Sequence, residues 1–161
     1  MIDISASDFN AFCQLLRDTQ SLFDALIVFE NKKLDIISAN DVDALDQSMK
    51  EEQAYILKMK GLDLKREQWQ EKFGFQDLPL KQMAERFNGA EKEMLLSLHN
   101  ALSVKSEELK SIIAAAKKYI DLHVNGIGIL LDQLENGEST YNQNGEKTVK
   151  IPPKRFTPTK V

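Results

Sequence analysis

From Glu91 to Leu134 the chain runs without a proline and repeats its apolar residues at threes and fours. Leu95, Leu98, Leu102, Leu109, Ile112, Ala116 and Tyr119 fall on one stripe of a 3.6-residue helix, with charged residues between them. A rod of this kind cannot bury its stripe against itself, so it demands partner elements of comparable length. That requirement, with only 7 Gly and 4 Pro in 161 residues, points to helices throughout.

Two earlier segments supply the partners. Phe9, Phe12, Leu16, Phe23, Leu26, Leu34 and Ile37 form a first stripe, and Ser5 with Asp8 three residues on, or alternatively Ser7, offers its start. Val42, Leu45, Met49, Ile56 and Met59 continue the same spacing in a second. Asn40 or Asp41 can cap it, and Asp43 and Asp46 put negative charge in its first turns. A connection this short predicts an antiparallel hairpin, the alternative being one kinked helix, since neither Pro nor Gly stands between.

The second helix is expected to reach about Lys72 and end near Phe73-Gly74, with Gly61 a tolerated weak point. Trp69, Phe73 and Phe75 read as a cap on the bundle. Asp77-Leu78-Pro79-Leu80 reads as the start of a short third helix, capped by the aspartate and ending at Asn88-Gly89. In the last helix Lys105 takes a seam position, so either the seam is open there or the stem snorkels. Beyond Tyr119 the stripe drifts to Ile120, Val124, Ile127, Leu130, Leu131 and Leu134.

The fold expected is therefore all-α: an elongated antiparallel helical bundle of three long helices with one short helix between the second and third. Residues 1–138 would be the bundle domain and residues 139–161 a basic, mobile tail. Net charge is −4, but the tail holds Lys147, Lys150, Lys154, Arg155 and Lys160 against Glu146, leaving the body at about −8. An acidic body argues against nucleic acid as partner. Cys13, the single cysteine, sits among Phe9, Phe12 and Leu16 and reads as a small buried hydrophobe. The N-terminus lacks a signal-peptide pattern and no run reaches ~18 apolar residues, so a cytoplasmic protein with no membrane insertion is expected.

Provision for catalysis is missing at this level. A di-metal bundle site needs glutamate three residues before histidine, but Leu96 precedes His99 and Ile120 precedes His123. No phosphate loop, nucleophile elbow or paired-cysteine spacing occurs, so no enzyme, metal or cofactor is expected.

The run Leu34 to Leu45, containing Asn40-Asp41 and followed by Glu51-Glu52 and Arg66, resembles the hairpin of the FlgN-type flagellar export chaperones. Asn125, Leu130-Leu131-Asp132-Gln133-Leu134 and Thr140-Tyr141-Asn142-Gln143-Asn144-Gly145 are similar to that family's helix end and its Tyr-x-x-x-Gly tail. Leu78 to Ala84 resembles the short middle helix of its longer members.

The resemblance implies a cytoplasmic chaperone that binds disordered C-terminal segments of hook-associated proteins and delivers them to the flagellar type III export gate. It places substrate binding at Asn125, Ile127, Leu130, Leu131 and Leu134, and gate docking at Tyr141 and Gly145. Gly126 and Gly128 depart from a firm helix, each costing roughly 1 kcal/mol relative to alanine. Either they admit a partner helix closely or they loosen a segment that sets on binding. The rival expectation is a structural coiled-coil or adaptor protein that self-assembles into a homo-oligomer through the same stripe.

Overall fold

A computed structural model describes residues 3–136. Every regular element among them is a helix: α1 (Ala6–Ser38), α2 (Val42–Lys72), α3 (Leu80–Ala84) and α4 (Gly89–Asn136). By internal contacts the chain divides into two compact units, 1–116 and 117–161, the division falling within α4.

In the first unit, the Ser5 side chain accepts a hydrogen bond from the Asp8 amide at 3.1 Å and so starts α1. Its end is a tight device. Asn40 adopts a left-handed φ of 55°, its amide donates to the Ile37 carbonyl at 3.1 Å, and the Asp41 amide donates to Ile36 at 3.4 Å. These two bonds satisfy carbonyls that a helix end leaves orphaned, and asparagine is among the few side chains that tolerate that backbone. Asp41 then turns to the next helix, its carboxylate accepting from the Ala44 amide at 3.0 Å as the N-cap of α2. Of the two caps open to the sequence, Asp41 takes the role and Asn40 makes the turn.

The hairpin is antiparallel, as its cross-helix contacts show. Lys72 Nζ lies 3.0 Å from Asp8, Phe73 stacks edge-on against Phe12 at 5.6 Å, Phe29 meets Tyr55 at 5.1 Å, and Lys33 reaches Glu52 at 2.7 Å. α4 runs parallel to α1, with Arg17 beside Met94 and Asp24 paired to Lys105. That pair answers the seam lysine: its stem is partly covered and its ammonium finds a carboxylate.

α2 closes as α1 does, with Gly74 at φ 77° and the Gly74 and Phe75 amides donating to Glu71 and Gln70. The expected cap of α3 fails here. Asp77 itself turns left-handed at φ 60°, and Pro79 stands at the N-cap position without a side-chain hydrogen bond. The turn is secured from α2 instead, by the buried Gln70 amide donating to the Leu78 carbonyl at 2.6 Å.

Phe9, Phe12, Cys13, Leu15 and Leu16 from α1 pack with Met83, Ala84, Phe87, Leu95 and Leu98, while Trp69, Phe73, Phe75 and Leu78 close over them. Each large side chain so buried contributes about 1.5–3 kcal/mol. Burial pushes the Cys13 thiol above its ordinary range, the Arg17 charge opposing and Glu91 adding, which leaves it inert packing.

Further along the hairpin, Glu30 is 1 % exposed. Its Oε2 makes no hydrogen bond, and Lys33 Nζ lies 3.8 Å away while holding Glu52 at 2.7 Å. Burial first, then the hydrogen bond shared with Glu52, pushes the Glu30 carboxyl up to about 7 against the pull of Lys33. For Glu52 burial acts upward too, but its hydrogen bonds with Glu30 and Lys33 outweigh it and hold the carboxyl below its ordinary range.

Two expectations about stripes need correction. Val42, Met49 and Ile56 do not face the bundle: they are 75 %, 54 % and 38 % exposed, whereas Leu45 and Met59 are half-buried. α2 instead packs through Ser48, Glu52, Tyr55, Leu62, Trp69 and Gln70, a more polar face than spacing alone suggests. Tyr119, assigned to the packed seam of α4, is exposed at its side chain.

Candidate functional site

The residues singled out for substrate capture belong to α4, beyond the division at Ala116. The helix continues through Gly126 and Gly128 to Asn136. A Cβ added at Gly128 would meet nothing within 4 Å, so this glycine is not needed for close packing inside the chain.

Leu131 is half-buried and Leu134 is 82 % exposed, the most open large apolar side chain of the described residues. Three residues apart, they stand about 4.5 Å apart along the axis on adjoining positions of one helix face. Asp132 between them is buried. Ile120, 40 % exposed, lies on the same face about three turns before Leu131, whereas Leu122, 60 % exposed, lies on the opposite side of the helix. The side chains of Asn125, Ile127 and Leu130 lie outside the described residues, as do Tyr141 and Gly145. The structure thus brings two of the five substrate-binding candidates onto a described surface.

A second concave feature, which the sequence reading missed, lies within the first unit. A groove of about 610 Å³ opens between α2 and α4, with Leu16 and Phe23 of α1 on its floor and Met59, Leu62, Leu80 and Leu102 on its sides. Its polar rim is largely paired: Arg66 with Asp63 at 2.9 Å and Lys110 with Glu107 at 3.3 Å. His99 also lines it, Nε2 standing 3.5 Å from Ser103 Oγ and the buried Nδ1 without a hydrogen-bond partner. The missed signal was the weak apolar pattern of α2, which leaves too few large side chains to fill the space facing α4.

Chemically, both surfaces offer apolar contact, and the groove adds paired charges at its rim, an arrangement suited to holding an amphipathic segment. Among the described residues no three His, Cys, Asp or Glu side chains are grouped to hold a metal ion. No described helix is long and apolar enough to cross a membrane.

The comparisons with known proteins give one positive finding. The family model described as FlgN protein matches residues 1–148. No curated protein and no solved structure matches the chain.

Proposed function

The chain belongs to the FlgN family, and from that premise we propose that it is a cytoplasmic, non-enzymatic chaperone of flagellar export. It binds the disordered C-terminal segments of hook-associated proteins and hands them to the type III export gate. The matched span, residues 1–148, includes both the candidate capture region and Tyr141 with Gly145.

The observation that carries the capture step is the exposure of Leu134 at 82 % beside the half-buried Leu131, near the end of a 48-residue helix. An amphipathic segment folding onto Asn125, Ile127, Leu130, Leu131 and Leu134 gains apolar burial and loses chain entropy, so affinity is moderate and release easy. Tyr141 and Gly145 serve the gate.

The test is co-purification. Leu131→Ser with Leu134→Ser abolishes recovery of hook-associated C-terminal segments while circular dichroism stays nearly unchanged. Full recovery of the segment by the double variant sinks the assignment.

The groove between α2 and α4 supports a second reading of where the segment sits, since it too is apolar and helix-flanked. Ser106→Trp, which fills the groove from its rim, blocks binding in that case and leaves it intact in the first.

A further inference from the structure

α2 is a helix with two faces. One packs on α1. The other exposes Val42, Met49, Ile56, Leu57 and Leu64, at 75 %, 54 %, 38 %, 68 % and 56 %. Steps of seven link Val42 to Met49 to Ile56, and Leu57 to Leu64; the two series lie within about 100° of each other round the helix and together make one broad strip a little over 30 Å long, on the order of six turns. None of the five lines the groove beside α4.

Charge along the same helix is polarised. From Asp41 to Glu52 there are five carboxylates, Asp41, Asp43, Asp46, Glu51 and Glu52, against Lys50. From Lys58 to Arg66 there are four cations, Lys58, Lys60, Lys65 and Arg66, against Asp63. Glu67, Glu71 and Lys72 follow, so the polarity belongs to the stretch from Asp41 to Arg66, over which a parallel copy is repelled and an antiparallel one attracted.

We infer that this strip is a self-pairing surface, on which two copies of the chain pack α2 against α2 in antiparallel register about a two-fold axis near Gln53. In that register Val42 meets Leu64 of the second copy and Met49 meets Leu57. Ile56 lies along the stem of Lys50, and Asp46 faces Lys60. The axis makes every contact twice. Asp46 already stands 3.1 Å from Lys50 on its own helix, but both side chains are 69 % exposed, so that pair is weak and free to re-partner. Five large apolar side chains from each copy, with the stems around them, bring together about the 1,000 Å² that a specific interface requires. The pairing does not depend on what α4 captures.

Sedimentation equilibrium of the full chain tests it. The expected result is a reversible dimer below about 100 μM that weakens between about 50 and 500 mM salt, as charge attraction at an exposed rim must. Asp46→Lys alone and Lys60→Asp alone each weaken it by about tenfold by setting like charges opposite one another twice, while the two together restore it to within about twofold. Met49→Asp gives a monomer of unchanged helicity. A chain that stays monomeric at that concentration overturns the inference. So does a dimer indifferent to Met49→Asp, or a double charge swap that fails to restore pairing.

Discussion

Glu30 is the residue whose placement the apolar pattern least suggests, and it ties the hairpin to pH. Between the ordinary carboxylate range and pH about 7, the folded chain keeps a proton on Glu30 that the unfolded chain has released. Stability from this group is therefore full at low pH and falls as pH rises through that window. Glu52 acts the other way: its depressed carboxyl contributes above the ordinary range and is lost as pH falls below it. Glu30→Gln keeps a hydrogen-bonding partner for Glu52 without a buried charge. Urea denaturation at pH 8 should find the variant more stable than its parent by on the order of 1–3 kcal/mol, with the gap closing towards pH 5. Equal stability at both pH values would mean that Lys33 already neutralises the pair. Cys13, by contrast, was readable from its neighbours, because a cysteine on the stripe of Phe9, Phe12 and Leu16 has only the core to enter.

At the scale of elements, the helix ends were the most legible part. Ser5, Asp41 and Gly74 each do what their side chains, or lack of one, make cheap: an oxygen for a free amide, or a left-handed turn without strain. Asp77 misled for the same reason, since a short polar side chain suits both a cap and a left-handed turn, and only tertiary context chooses. The α2 stripe misled differently. Val42, Met49 and Ile56 have the spacing of a buried seam, but spacing cannot say which of two faces meets α1, and the aromatic contacts of Tyr55 with Phe29 and of Phe73 with Phe12 decide it. In α4 the open space around Gly128 makes a clean prediction. Gly128→Ala should raise the helical content of this end and stabilise it by about 1 kcal/mol, read by amide exchange in the last turns. If that variant also loses the substrate segment, the glycine serves the close approach of a partner helix; retained binding assigns it to local softness alone.

For the molecule as a whole, the all-α class and the family were legible because helical spacing and the Asn40-Asp41 hairpin survive in any reading frame of the physics. The groove between α2 and α4 was not, because a void is a property of four helices at once and no single segment encodes it. The proposed division of labour places capture on α4 and export on Tyr141, so the two functions should separate. Tyr141→Ala is expected to leave co-purification of hook-associated segments unchanged and to reduce their secretion from flagellated cells. A variant that loses both at once, or that unfolds, contradicts a separate docking role.

The turn at Asn40-Asp41 carries one more consequence. Asp41 finishes α1 by donating its amide and opens α2 by offering its carboxylate, so no residue is spare between the two helices. The turn therefore acts as a phase lock: adding or deleting one residue there rotates everything downstream by about 100°. Tyr55 and Trp69 would leave α1, and the outer strip of Val42, Met49 and Leu57 would swing elsewhere. Substitutions along α2 can be absorbed singly, but a change in the length of this turn re-indexes the whole helix.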